Sequence, residues 1–205
     1  PDYLFLPMLR GVPRPGDEPH APLCPIVQAS GALVRLDVER ALSSRVLSPV
    51  IDVGKGGLES SEFMDACARL AAELGVPDAG GRRAYRVALE AQREFDARCL
   101  EFGRRALEFC RETDTLAVVV LGRAYTIHNT VLNSNVPAIL REQGAIGIPV
   151  DCYPIEDDVP IFGDVFWGYA QRNLRAAHQV RRSPGLYTLY CSNYSCGPDS
   201  FNLHF

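Results

Sequence analysis

The run Leu116-Ala-Val-Val-Val-Leu121 is the feature that most constrains the fold, because six apolar residues follow one another without alternation. A strand with this pattern is typically buried on both faces, as in a parallel sheet. Four further segments are predicted strands: 3–6, 46–52, 145–150 and 186–190. Helical patterns fill the intervals, at about 24–38, 60–74, 82–112, 130–142 and 166–182. This alternation predicts an α/β protein with an open, mostly parallel sheet and flanking helices.

The segment 82–112 carries largely apolar residues at alternating steps of three and four, which is a heptad pattern. The members of this seam are Tyr85, Ala88, Gln92, Phe95, Cys99, Phe102, Ala106 and Phe109. One helix of this length is roughly 45 Å long, so it either crosses the back of the sheet or bridges two lobes. A dimer in which a second copy of the chain packs along it is a secondary alternative. We predict two Rossmann-like or flavodoxin-like halves, a first lobe at 1–80 with Cys24 and a second at 115–205 with Cys196, joined by a long helix at 81–114.

The composition excludes several classes of protein. A formal net charge of -4 produces no large positive field, so a nucleic acid is not an expected partner. No apolar run approaches the ~20 residues of a membrane-spanning helix. The seven cysteines lack the regular spacing of a secreted disulfide framework, which favours a reducing cytoplasm. The sequence begins with Pro-Asp and enters a strand at once, so we expect it to be part of a longer protein.

Cys24 lies at a predicted helix start. Pro25 suits the first helical position, because its missing N–H would have no partner there. Gln28 can hydrogen-bond back across the first turn. Free N–H groups and the helix dipole favour negative charge at this end, so a thiol there gives up its proton more readily. Cys24 is therefore either a thiolate ligand or a buried cysteine that only begins a helix.

Cys196 has a similar setting after the last predicted strand. The segment 191–200 places two thiols, a glycine and a proline in one turn. A turn that follows a strand end is where an open α/β fold binds a ligand. Backbone N–H groups of such a turn can also hydrogen-bond to the sulfurs of a cluster. The two segments together predict that Cys24 and Cys196 are thiolate ligands of one iron–sulfur cluster.

The other cysteines are weaker candidates. Cys191 and Cys196 have four residues between them, a spacing that a zinc loop also uses, but the sequence has no second pair of this kind. Cys152 follows a predicted strand and is a further candidate ligand. Cys67 and Cys99 lie on apolar helix faces and are predicted core thiols.

A possible ligand-binding loop follows the central strand, at the edge of a parallel sheet where ligands bind. Its candidate residues are Arg123, Tyr125, Asn129 and Asn133. Arg123 can hold an anion there, and His128 is either catalytic or a surface or packing residue. The sequence has no GxxxxGK[ST] or GxGxxG motif, and the glycine-rich segment 54–57 is too short a resemblance. ATP hydrolysis by this chain is therefore not predicted.

The chain resembles the uncharacterised domain that follows the ATPase modules of large CoA-substrate-specific enzyme activases. Four segments carry the resemblance, in order along the chain: 24–28, 122–133 with Pro137, 167–177 and 193–201. They are also similar to the iron–sulfur family of 2-hydroxyacyl-CoA dehydratases and benzoyl-CoA reductases. An ordered set that spans nearly the whole chain is more specific than any one motif.

The resemblance implies a [4Fe-4S] cluster, with Cys24 and Cys196 at positions of cluster ligands. A further cysteine of the family lies upstream of the first residue here, so we expect this segment alone to hold a cluster badly or not at all. The implied partners are ATPase activator modules, in the same or another chain, and a CoA-thioester enzyme that receives low-potential electrons. Ala124 and Asn129 replace a proline and an aspartate that are common in the family.

A second hypothesis is a cluster-free docking or structural module that couples the ATPase modules to a partner. The heptad seam and the Arg123 loop would then be the working surfaces, and the thiols would be structural. The two hypotheses differ in whether Cys24 and Cys196 bind iron.

Overall fold

The structure is a computed structural model that describes residues 2–13, 21–41, 44–53, 55–193 and 195–204. The chain divides into two compact units: unit 1 comprises residues 1–92 and 166–168, and unit 2 comprises residues 93–165 and 169–205. Helices alternate with parallel strands, which confirms the predicted α/β class. The lobes predicted at 1–80 and 115–205 stay a prediction.

Unit 1 is built around a parallel pair of short strand segments. Its elements are β1 (Tyr3–Phe5), β2 (Met8–Leu9), α1 (Pro25–Ala41), β3 (Arg45–Leu47), β4 (Val50–Ile51), a 3-10 turn (Gly57–Glu59), α2 (Ser61–Glu73) and the first part of α3 (Asp78–Thr113). β1 pairs with β3, and β2 pairs with β4, both in parallel. α1 connects the two sides, as parallel pairing requires a crossover.

Prolines divide the strand pairing of unit 1 into short pieces. The predicted strands 3–6 and 46–52 pair with each other, but Pro7 separates β1 from β2 and Pro49 separates β3 from β4. Proline has no N–H to donate to a ladder. The pairing continues across the breaks, because neighbouring N–H groups donate to carbonyls of the opposite strand at 2.8 and 2.9 Å. β2 was not predicted, since two residues are too few for a visible pattern.

The helix α3 has 36 residues and begins at Asp78, before the predicted start near 82. Asp78 accepts a hydrogen bond from Arg82 across the first turn, at 2.9 Å. Glycine disfavours a helix interior, but Gly81 is buried against α2, where an added Cβ would lie 2.8 Å from the Cβ of Ala71. The glycine therefore permits close packing of two helices within unit 1.

Unit 2 contains a three-stranded parallel sheet in the order β6-β5-β7. Its elements, besides the second part of α3, are β5 (Leu116–Gly122), α4 (Ala124–Ile127), α5 (Val136–Glu142), β6 (Ala145–Pro149), α6 (Gly168–Val180), β7 (Leu186–Cys191) and α7 (Gly197–Asn202). The central strand β5 is buried from Ala117 to Gly122, as its unbroken apolar run predicts. Side chains from α3, α5 and α6 pack against this sheet and form the core.

The predicted helix at 130–142 is wrong in its first half. The chain instead forms the short helix α4, then turns, and α5 begins only at Val136. Ser134 and Asn135 have positive φ angles of 52° and 57°, a conformation that ends a right-handed helix. Asn135 occupies the N-cap position of α5, which carries Pro137 in its first turn. The loop after β5 is therefore longer than the pattern indicated.

The second part of α3 corrects the predicted seam. Phe95, Phe102 and Phe109 are 62%, 63% and 49% exposed rather than packed. The face that turns to the core carries Gly103 and Cys110, which are both buried. Gly103 explains this choice, since a residue without a side chain lets the helix backbone touch the loop after β6. We call the three exposed rings the phenylalanine row.

In the described part of the chain, no helix is both long enough and apolar enough to cross a membrane.

Candidate functional site

The carboxyl ends of β5 and β7 lie side by side where the chain changes direction across the sheet. From the central strand β5 the chain proceeds to β6 on one side, and then to β7 on the other. In open parallel sheets a switch point of this kind forms a crevice that binds ligands. The segment that starts at Arg123 leaves β5 there, and 192–199 leaves β7. We call this place the β5–β7 crevice.

Gly122 allows the two strands to approach each other at the crevice. Its φ angle is +147°, and an added Cβ would lie 2.6 Å from the Cys191 carbonyl oxygen. Only glycine adopts such a position without strain. The Asn173 side chain of α6 accepts from the Gly122 N–H at 3.2 Å and donates to the Gly122 carbonyl at 3.3 Å. Both the N–H and the carbonyl of Gly122 are therefore hydrogen-bonded to one side chain, which fixes the backbone directly before Arg123.

Arg123 forms a buried ion pair with Asp199. The Arg123 Nε lies 3.1 Å from the Asp199 Oδ1, and the two side chains are only 4% and 2% exposed. Asp199 also accepts from the Tyr190 hydroxyl at 3.3 Å and from the Asn193 N–H at 3.1 Å. A buried charge pair is tolerable only when its remaining hydrogen bonds are satisfied in this way. The pair connects the segments after β5 and β7.

Cys196 is the half-buried thiol of the crevice. It is the N-cap of α7, and the Arg123 Nη2 donates to its Sγ at 3.5 Å. Burial raises the pKa of the Cys196 thiol, whereas a hydrogen bond from the Asp199 backbone and the Arg123 charge lower it. The effect of burial prevails, so the expected easier loss of the proton at a helix start does not hold for Cys196. The thiol is protonated at neutral pH unless a ligand displaces the proton.

A second polar group lies after β5 and β6. The His128 Nε2 is 3.0 Å from the Asp151 Oδ2, and Arg172 Nη1 is 2.9 Å from the Asp151 Oδ1. His128 therefore has an acidic partner that the sequence did not reveal, since the two are 23 positions apart. Charges of both groups act on Tyr169: burial raises the pKa of its hydroxyl, Asp151 adds to this rise, and Arg172 and Arg123 oppose it.

The remaining residues of the predicted ligand loop mostly hold the loop itself. Asn129 accepts through its side-chain oxygen from the backbone N–H groups of the two residues 131 and 132. Asn133 is buried and donates to the Ile127 carbonyl at 2.8 Å. Tyr125 is 47% exposed and can reach a partner or ligand. Asn129 and Asn133 thus shape the loop, whereas Tyr125 faces outward.

Among the described residues, four buried polar side-chain atoms of unit 2 have no hydrogen-bond partner, and three of them lie in the segments after β5 and β7. These three are Thr126 Oγ1, Asn133 Oδ1 and Asn202 Oδ1. Buried polar atoms are usually paired, so each such atom indicates a bound water or another unobserved partner. Sequence reasoning missed Thr126 and Asn202, because their burial depends on tertiary packing.

The lower-ranked cysteines have different surroundings. Cys191 is 8% exposed at the end of β7, and burial raises the pKa of its thiol. Cys152 is half-buried in the loop after β6 and has Cys99 as a neighbour. Burial, with a contribution from Cys99, raises the pKa of Cys152 to about 11.

Cys24 belongs to unit 1 and has the predicted local structure. It is half-buried, and α1 begins at the following Pro25. The Gln28 side chain donates to the Leu23 carbonyl at 2.8 Å, which confirms the expected bond back across the first turn. Gly31, one helical turn further, packs closely on the main chain, since an added Cβ would lie 2.8 Å from the Leu6 carbonyl oxygen.

Unit 1 also contains an open cavity of about 580 Å³ beyond the ends of β2 and β4. Its lining includes three basic and two acidic side chains, namely Arg10, Lys55, Arg69, Asp52 and Glu62. The mixture of charges does not select an anion strongly. Gly54 of the weak phosphate-loop resemblance lies outside the described residues, as does Tyr194 of the C-terminal motif.

The described residues contain no group of three or more His, Cys, Asp or Glu side chains arranged to hold a metal ion. The predicted cluster ligands therefore do not form a complete set within the described ranges.

A family model described as CoA enzyme activase uncharacterised domain (DUF2229) matches residues 1–153 of the 205. The chain belongs to this CoA enzyme activase family. No curated protein and no solved structure matches the chain. The resemblance to the domain of large activases is thus confirmed, whereas the relation to the dehydratases stays a prediction.

The match to the activase family divides the candidate residues. Cys24, Arg123 and the pair His128–Asp151 lie within the matched residues. Arg172 on α6, and Cys196 and Asp199 after β7, follow the matched part. In this activase domain the crevice therefore combines a residue of the matched part, Arg123, with residues beyond it.

Proposed function

We propose that this activase domain supplies Cys24 and Cys196 as thiolate ligands of a [4Fe-4S] cluster and takes part in ATP-coupled, low-potential electron transfer to or within a CoA-thioester enzyme. The observation that carries the proposal is the setting of Cys196: a half-buried thiol at a switch-point crevice, with a guanidinium 3.5 Å from its sulfur. The family match supports an activase as the context.

The chemistry of the donors fits a cluster ligand. A thiolate and a cluster are anionic, so the Arg123 charge and the backbone of Asp199 favour the bound state at Cys196. The thiol stays protonated until metal binding displaces the proton, because burial raises its pKa. When bound, a cluster would supply one-electron transfer at a potential set by charge, burial and hydrogen bonds.

The ligand set needs thiolates from outside the described residues, which contain no group of three potential ligands. The upstream cysteine that the family resemblance implies is one source. A test therefore requires a longer polypeptide that includes this cysteine.

The test is anaerobic reconstitution of the longer polypeptide, followed by assays of iron and acid-labile sulfide per chain. We expect Cys24→Ser and Cys196→Ser each to lose at least half of the iron. Cys67→Ser is the matched control, since Cys67 is also half-buried but lies within α2 of unit 1. Unchanged iron content in both ligand variants would refute the proposal.

The alternative function is a docking module, and the exposure of the phenylalanine row favours it. Three phenyl rings at intervals of seven residues, half or more exposed, are suited to packing against a partner helix. Arg123 cannot belong to that surface, because its side chain is 4% exposed. The docking hypothesis therefore depends on the row and, within the Arg123 loop, on Tyr125, which is 47% exposed.

The alternative is tested by binding of the ATPase modules to the domain. We expect Phe102→Glu to weaken binding at least tenfold if the row is the docking surface. Val87→Glu is the matched control, because Val87 is also 63% exposed on α3 but lies outside the row. Equal binding by the two variants would remove the docking function without affecting the iron assay.

A further inference from the structure

Two cysteines of unit 2 form a thiol pair that the cluster proposal does not use. Cys99 lies on α3, and Cys152 lies in the loop directly after β6. The Cys99 side chain is close enough to Cys152 to contribute to the raised pKa of its thiol, and both thiols are half-buried. The sequence predicts Cys99 as a core thiol and Cys152 as a candidate metal ligand, and 52 residues separate them. Their proximity is a product of the fold.

Gly103 brings the two thiols together. It lies one helical turn after Cys99, and an added Cβ would be 1.7 Å from the Cys152 carbonyl oxygen and 3.4 Å from the Cys152 Cβ. The backbone of α3 therefore rests directly on the loop, which any side chain at 103 would prevent. Since side chains four residues apart share one helix face, Cys99 projects toward the same place.

The loop that carries Cys152 is fixed on its other side as well. The Cys152 N–H donates to the Pro149 carbonyl at 2.8 Å. The neighbouring Tyr153 is 2% exposed, and its hydroxyl accepts from Gln179 at 3.1 Å. Both members of the pair are thus held by the core of unit 2, so little ordering is needed to bond them.

We propose that Cys99 and Cys152 are a redox-active dithiol that closes to an intrachain disulfide. The oxidant is a small or protein disulfide, such as oxidised glutathione. The thiolate of one cysteine attacks this disulfide and releases one thiol, which leaves a mixed disulfide. The thiolate of the second cysteine then attacks the mixed disulfide and releases the second thiol. Two protein thiols become one S–S bond, and one disulfide becomes two thiols.

Closure would connect α3 to the second polar group of the sheet edge. Asp151, which holds both His128 and Arg172, directly precedes Cys152. The S–S bond would fix the backbone at Asp151 to α3 and would restrain the His128–Asp151–Arg172 group. The inference does not depend on the proposed cluster, since neither Cys24 nor Cys196 takes part.

The experiment measures the disulfide directly in the full-length protein. The protein is equilibrated anaerobically in glutathione buffers of increasing oxidised fraction. Acid stops the thiol–disulfide exchange, iodoacetamide then alkylates the remaining free thiols, and the protein is digested with trypsin. Cleavage after arginine gives the peptides 99–104 and 142–172, each with a single cysteine. Mass spectrometry then quantifies the linked pair, the alkylated peptides and the glutathione adducts.

We expect most of both peptides to be linked in the oxidising buffers and to be released by dithiothreitol. Oxidation should also raise the melting temperature by about 10 °C, since the bond closes a loop of roughly 50 residues. Cys99→Ser and Cys152→Ser should each abolish this rise, and Cys67→Ser should retain it. Alkylated or singly glutathionylated peptides throughout, or linkage of either cysteine to a third one, would overturn the proposal. The wild-type peptide ratio decides the matter even if a variant fails to fold, and the iron assay remains a separate readout.

Discussion

The two units differ in how much of their apolar surface is buried within the unit itself. In unit 2, β5 is covered on both faces, and Val119 is 0% exposed. In unit 1 the strands are only two or three residues long, and α1 exposes Ile26, Leu33 and Leu36 by 72%, 58% and 59%. A site in unit 2 therefore rests on a rigid core, whereas the neighbourhood of Cys24 depends more on what else it contacts. The following comparisons test this difference.

The largest difference should appear between the ion pairs. Arg123→Ala would leave the buried Asp199 without a counter-charge, and we expect a loss of about 3–5 kcal/mol in the free energy of unfolding. Arg10→Ala in unit 1 should cost about 0–1 kcal/mol, because the side chains of Arg10 and Asp52 are 60% and 41% exposed and 3.9 Å apart. Urea denaturation followed by circular dichroism measures both. Equal losses would contradict the contrast.

The second comparison concerns glycines at close backbone contacts. Gly103→Ala in unit 2 should lose about 3 kcal/mol of unfolding free energy, because the new Cβ would be 1.7 Å from a main-chain oxygen. Gly31→Ala in unit 1 should lose about 1 kcal/mol, since the distance there is 2.8 Å and short strands can shift. Gly163→Ala, with no atom within 4 Å of the new Cβ, is the control and should be neutral. A tolerated Gly103→Ala would show that the loop can move off α3.

A third comparison uses two valines. Val119→Ala removes two methyl groups from the centre of the sheet, and we expect a cost of about 2 kcal/mol in unfolding free energy. Val34→Ala on α1, at a position 46% exposed, should cost less than about 0.5 kcal/mol. Chemical denaturation of both variants would measure the difference. A large effect at Val34 would mean that α1 is covered in the protein.

The smallest effects involve tyrosine hydroxyls. Tyr190→Phe removes a donor to Asp199, and Tyr85→Phe removes a donor to the Leu58 carbonyl, each worth about 1 kcal/mol near pH 7. Burial raises the pKa of Tyr190 to about 12 from an ordinary value near 10. The folded protein keeps this proton longer than the unfolded chain, so the contribution is present below pH 10 and is lost as pH rises toward 12. Denaturation at pH 9 and pH 11 should show a shallower fall for Tyr190→Phe than for wild type, and an identical fall would contradict this origin.

The sequence predicted elements well where both faces of a strand are buried. The predicted span of β5 differs from the observed one by a single residue, because its apolar run has no competing interpretation. The positions of Arg123 and Cys196 after the carboxyl ends of parallel strands also follow from the strand–helix alternation, whereas the neighbouring of β5 and β7 was not predicted. These features depend on local pattern and on the general topology of parallel sheets.

Features that depend on tertiary contacts were not predictable. Asp199 pairs with Arg123 across 76 positions, and no local pattern identifies such a partner. The core-facing side of α3 was not predictable, because a heptad pattern gives period but not direction. The choice of face came from Gly103, whose role depends on the loop after β6. The same contact produced the pairing of Cys99 with Cys152.

The phenylalanine row affects how unfolding of this domain should be followed. The three rings of the row are about half exposed or more and lie about 10.5 Å apart along the helix. Hydrophobic dyes can therefore bind to them in the native state. In a dye-based thermal scan, the fluorescence of the native protein would therefore already be high, and the increase in fluorescence on unfolding would be small. The single tryptophan, Trp167, provides an intrinsic fluorescence probe that avoids this background.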